Sequence, residues 1–100
     1  MIPVEVITKE GFELTAENVI DVMQWLMDPN KPGGREVMAY VASLPDQDLI
    51  MAINAGLDAA EADHDQDWLY FIHIVMQERA LTFEQLDRSM PDLLKNIIEE

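Results

Sequence analysis

The chain opens on a loose alternation of apolar and polar positions. Val4-Glu5-Val6-Ile7-Thr8 is rich in β-branched residues, and Lys9-Glu10-Gly11 reads as a turn before Phe12-Glu13-Leu14. This predicts a short N-terminal β hairpin or an extended arm. Past Thr15 the period lengthens to that of helices. Thr15 is placed to cap a first helix running to about Met27 and stopped by Asp28-Pro29, because the residue before a proline avoids the helical region. Val19, Val22, Met23, Leu26 and Met27 fall on its core side. Glu17, Asp21, Gln24 and Asp28 fall on the opposite one.

Asn30-Lys31-Pro32-Gly33-Gly34 is the clearest loop, since proline fixes one dihedral and the glycines free the next ones. Arg35 to Leu44 reads as a short helix presenting Val37, Met38, Tyr40 and Val41. Pro45, at a first helical position and followed by Asp46 and Asp48, marks the next start. There Leu49, Ile50, Ile53 and Leu57 form a buried stripe, and Asn54, Asp58, Glu61 and Asp65 a polar one.

From Asp67 to Ala80 apolar residues cover most of the circumference, leaving only Tyr70, His73 and Gln77 on a narrow polar strip, as expected of a central, buried helix. Asp67 is the expected cap of that helix. Thr82-Phe83-Glu84-Gln85 has the capping-box pattern of a short helix, and Pro91-Asp92 opens a last one with Leu93, Leu94, Ile97 and Ile98 inward. Ser43-Leu44-Pro45-Asp46 and Ser89-Met90-Pro91-Asp92 resemble each other through shared helix-start chemistry and do not make a repeat. The fold class expected is all-α, a single domain over residues 1–100. It is a compact bundle of about five short helices around the apolar helix near residues 67–80.

Composition supports folding, with 49% hydrophobic residues. The chain has no cysteine, which removes disulfides, thiolate metal sites and a cysteine nucleophile. No leader pattern and no apolar run of about 18 residues is present, so a soluble protein in a cytoplasmic setting is expected, without membrane association.

Asp63-His64-Asp65-Gln66-Asp67 has the opening of a calcium loop, but Trp68 and Ile74 stand where that loop requires glycine and a bidentate glutamate. His64 and His73 are the only histidines, too few for a multi-histidine zinc site. The hydroxyl residues Thr8, Thr15, Ser43, Thr82 and Ser89 are accounted for by caps and turns, and no phosphate-cradling glycine loop occurs. Neither enzymatic activity nor a metal or other cofactor is expected.

Charge changes the picture most. Twenty Asp and Glu against six Lys and Arg give a net charge of -14. Such a field repels nucleic acid and anionic membranes and steers basic surfaces toward the chain. Between Arg35 and Arg79 there is no cation at all, while acids recur from Glu36 to Glu78. Carboxylates one helical turn apart lie about 6 Å from each other, the same order as two phosphate steps of about 3.4 Å each along a DNA strand. In general type the chain resembles the small acidic DNA-mimic inhibitors that phages and mobile elements encode, without a motif shared with any one of them.

The resemblance implies a stoichiometric inhibitor that blocks the basic surface of a nucleic-acid-binding partner without itself touching nucleic acid. Asp58, Glu61, Asp63, Asp65 and Asp67 would carry the contact, with Glu17, Asp21 and Trp25 as a second group. Trp25 lies off the apolar line of the first helix, as a core-rim residue or an exposed anchor. The alternative function is an assembly protein, such as a phage chaperone or a homo-oligomer, that binds through apolar surface. Replacing Asp58, Glu61, Asp63 and Asp65 by amides is expected to leave stability equal or slightly raised, because exposed like charges repel.

Overall fold

The computed structural model describes residues 1–98, and within them every regular element is helical. In chain order these are α1 (Val4–Ile7), α2 (Val19–Met23), a 3₁₀ turn (Gln24–Met27), α3 (Gly34–Ala42), α4 (Asp46–Ala62), α5 (Gln66–Glu78) and α6 (Asp92–Ile98).

The N-terminal hairpin is not formed, and no strand occurs among the described residues. Residues 4–7 instead make a single helical turn, in which the Pro3 carbonyl accepts from the amides of Val6 and Ile7 at 3.0 and 3.2 Å. An isolated hairpin is marginal in water without a sheet to join, whereas this turn buries Ile7 completely. Trp25 fixes the preceding segment by donating its indole N–H to the Ile2 carbonyl at 2.7 Å.

The first long helix that the apolar spacing predicts is shorter and tighter than its pattern. Thr15 and Asn18 bond reciprocally, each side chain accepting from the other's amide at 3.2 and 2.8 Å. Regular helix follows only over Val19–Met23, and the chain then tightens into the 3₁₀ turn before Asp28-Pro29. In 3₁₀ geometry positions i and i+3 eclipse, which brings Trp25 into line below Val22. Both are buried.

The loop after it depends on two glycines for different reasons. Gly33 caps α3 in a left-handed conformation at φ 90°. Gly34 sits so close to Pro29 that a Cβ there would meet its backbone at 2.6 Å.

The core is built around α4 and α5. Ala52, Gly56 and Ala60 recur every fourth residue on α4 and are buried, giving α2 and α5 room to approach. A Cβ at Gly56 would lie 2.8 Å from Met23 Cε and 3.1 Å from Ile72 Cδ1. Helix α5 is the hub, with Trp68, Leu69, Ile72, Val75 and Met76 buried against α4, α6, α3 and the 3₁₀ turn. Trp68 donates its indole N–H to the Met23 carbonyl at 2.8 Å, which ties the hub to the point where α2 tightens.

Arg79, just past α5, reaches the α3–α4 corner. Its Nη1 donates to the carbonyls of Ala42 and Leu44 at 2.8 and 2.6 Å, and its Nη2 pairs with Asp46 at 2.9 Å. A cation on the free carbonyls of a helix C-terminus is favourable both as a hydrogen-bond donor and against the dipole.

The Thr82–Gln85 capping box forms, with Gln85 Oε1 accepting from the Thr82 amide at 2.8 Å and Thr82 Oγ1 from the Gln85 amide at 3.2 Å. It opens only a turn, because Asp87 enters the left-handed region at φ 56° and closes it. The turn inserts Leu86 into the core.

Candidate functional site

No charged or polar side chain is buried among the described residues, so the acidic excess lies outside the core. The end of α4, the turn after it and the start of α5 gather the densest run of acids. Helix α4 closes with His64 left-handed at φ 53°, where its amide donates to the Glu61 carbonyl at 3.1 Å and the next amide, of Asp65, to the Ala60 carbonyl at 3.0 Å. This six-to-one closure reverses the chain within three residues. It leaves Asp63 and Asp67 exposed around a shallow depression of about 370 Å³ lined by residues 63–67.

The five acids expected here have three different situations. Asp63 and Asp67 are exposed, and neither has an ion-pair partner among the described residues. Asp65, not Asp67, caps α5, its Oδ1 accepting from the Trp68 amide at 3.0 Å. The reason is position: Asp65 is the last residue with an extended backbone, at φ -94° and ψ 97°, and only a side chain there can turn back to the third amide of the helix. Asp67 stands within the first turn, where it gains from the dipole alone.

Asp58 and Glu61 are not free. Arg88 sets its Nη1 2.7 Å from Asp58 Oδ1 and its Nη2 3.6 Å from Glu61 Oε1. One turn earlier Asn54 donates to the Leu86 carbonyl at 3.5 Å. The polar stripe of α4 is therefore the face on which the chain seats its own 82–90 segment. Arg88 has no sequence signal that could have placed it here, because its partners lie 30 and 27 positions upstream, beyond any helical period. Its buried Nε has no hydrogen-bond partner.

Glu17 and Asp21 are exposed beside and on α2. They do not join the 58–67 group. Helix α2 packs on α4 at Gly56, and Asp58 lies two positions on, about 200° around the helix. Trp25 is not an exposed anchor: it is 8% exposed, bonded to Ile2 and covered by the Lys31 ammonium 4.7 Å from its ring centre. The core-rim expectation holds, and its ring offers little surface to a partner.

His73, on the polar strip of α5, has its pKa lowered by burial, and no nucleophile or carboxylate is bonded to it. Among the described residues no group of three His, Cys, Asp or Glu is placed to hold a metal ion. No helix of the described residues is long and apolar enough to cross a membrane. No family model, curated protein or solved structure matches the chain.

Proposed function

We propose that this protein is a binding module, not an enzyme, and that it acts as a stoichiometric inhibitor. Its acidic surface occupies the Lys/Arg-lined nucleic-acid site of a partner, such as a host-defence nuclease. The observation that carries this reading is the surplus of charge over any structural need. The acids lie outside the core, and the cations Arg79, Arg88 and Lys95 account for the ion pairs formed among the described residues. A fold of this size needs a net charge of only about 2–8 for solubility, against -14 here.

The contact centres on Asp63 and Asp67, with Glu61 at its edge. Asp58 is largely spent on Arg88, and Asp65 works chiefly as a cap. The dipole ends of α4 and α5 meet at this corner with opposite signs and offset one another, so its potential comes from side chains.

The test is to pass host lysate over the immobilised domain, elute with rising salt, and challenge the retained protein with duplex DNA and with single-stranded RNA. A retained protein that binds nucleic acid by itself, is displaced by it, and leaves steeply as salt rises supports the reading. A partner that ignores nucleic acid and stays bound in high salt overturns it in favour of an apolar assembly contact. That alternative no longer has Trp25, but Ile20 and Met27 are exposed along one side of the 19–27 segment.

A further inference from the structure

The acidic corner is not the only concave acidic feature. A cleft of about 500 Å³ opens between the Phe12–Leu14 segment and the α3–α4 junction, with Phe12, Glu13, Leu14, Tyr40, Leu44 and Asp48 among its walls. Its volume falls within the range of about 300–1,000 Å³ typical of ligand sites. No cation lines it. Arg79, which serves the same α3–α4 junction, is engaged by the Ala42 and Leu44 carbonyls and by Asp46.

The walls are built to keep their shape. The Phe12 amide donates to the Lys9 carbonyl at 3.1 Å, and the Glu13 carbonyl accepts from Asn18 Nδ2 at 3.0 Å. Phe12 and Tyr40 meet edge to face at 6.0 Å between centroids, a geometry that uses the face of only one ring. At the end of α3 Ser43 Oγ donates to the Tyr40 carbonyl at 2.8 Å.

Two carboxylates with two aromatic rings and no competing cation form an environment for a flat, weakly hydrated cation. We propose that this cleft receives one arginine side chain of a protein partner, its guanidinium stacked on a Phe12 or Tyr40 ring and paired with Glu13 and Asp48. Arginine fits better than lysine because its planar fork can stack and pair at once, whereas an ammonium is a compact, strongly hydrated charge. Elsewhere in the fold a cation already lies over an aromatic face, where the Lys31 ammonium covers Trp25. Burial, and secondarily the Asp48 charge, push the Tyr40 phenol up from its ordinary pKa, in keeping with a ring close to that carboxylate.

The assignment rests on the partner being basic, as in the proposed function, but it can be tested without that partner. The full chain, labelled with ¹⁵N, is titrated with N-acetyl-arginine methylamide and, in parallel, with its lysine and citrulline counterparts. Saturable amide shifts confined to residues 12–14 and 40–48, with millimolar affinity for arginine, weaker for lysine and absent for citrulline, are expected. Asp48→Asn should weaken binding by up to about fivefold, the measure of one partly exposed ion pair, while Glu84→Gln, exposed and outside both acidic features, leaves it unchanged.

Shifts spread evenly over acidic residues, equal shifts with citrulline, or no saturation at the cleft would overturn the proposal. A domain that competes with nucleic acid for a partner yet fails this titration loses only the cleft. One that passes the titration but captures no nucleic-acid-binding protein loses only the inhibitor reading.

Discussion

Arg88 lies 2.7 Å from Asp58 across 30 positions of chain, and this pair gives the polar stripe of α4 a structural task. The Arg88 side chain is only 20% exposed while that of Asp58 is 72% exposed. The apolar stem is thus packed and the charged tip meets a carboxylate at the surface.

The pair reverses the sign expected for removing Asp58. Asp58→Asn should lower stability, by up to about 0.5–1 kcal/mol, and not raise it, because an exposed pair is worth little yet still favourable. Arg88→Met should keep most of the stem's packing and lose the pairs to both Asp58 and Glu61. Urea denaturation of the two single variants and the double variant closes the cycle. If Asp58→Asn proves stabilising, or the two effects simply add, the pair contributes nothing to the fold.

Asp65 and Asp67 should separate cleanly. Asp65→Ala removes the acceptor of the Trp68 amide and should cost about 1 kcal/mol, within the usual 0.5–2 for a lost cap. Asp67→Ala removes only a first-turn charge and should cost a few tenths at most. Equal losses in thermal melts of the two variants would mean that the cap is shared. The variant that probes partner binding with the least disturbance to the fold is therefore Asp63→Asn/Asp67→Asn, because Glu61 pairs with Arg88.

The helices were legible where apolar spacing was long and regular, as over Leu49–Leu57 and Trp68–Met76, because burial there follows the period directly. Legibility failed at elements one turn long. Val4–Ile7 carries β-branched residues that favour a strand, but with no sheet to join, the burial of Ile7 decides for a helical turn. Trp25 lies off the apolar line of an α period because the chain there is 3₁₀. At the candidate site the acids themselves were legible and their availability was not. Which of them are free depends on Arg88 and on the one residue of backbone that makes Asp65 the cap, and neither leaves a trace in spacing.

Ala80 is a further consequence of abrupt helix ends. It follows α5 at φ 51°, where its amide donates to the Gln77 carbonyl at 3.1 Å and that of Leu81 to the Met76 carbonyl at 2.8 Å. This is the position at which glycine is favoured, because an L side chain in the left-handed region costs roughly 1–2 kcal/mol. Glycine's greater freedom in the unfolded chain returns about half of that. Ala80→Gly should therefore stabilise by about 0.5–1 kcal/mol, with the melting point rising roughly 4–8 °C per kcal/mol in a domain of this length. A lower melting point would show that the Ala80 methyl makes contacts outweighing the strain.

His73 should give the fold a pH dependence of defined sign. Burial lowers its pKa below the ordinary histidine value of about 6.5, so the folded state holds the imidazole neutral more firmly than the unfolded chain does. Between the lowered folded value and the unfolded one, the unfolded state binds more protons, and stability rises with pH across that window. The contribution is fully present above about 6.5, where both states are neutral. It is lost as pH falls through the unfolded value toward the folded one, below which both states are charged and the penalty is constant. His73→Gln keeps a polar side chain on the strip and removes the titration. The difference in urea-derived stability between parent and variant should grow in the parent's favour as pH is raised through this window and level off above it. Taking the difference cancels the carboxylates common to both chains. A flat difference, or one that falls with rising pH, would mean that the folded protein does not disfavour the charged imidazole.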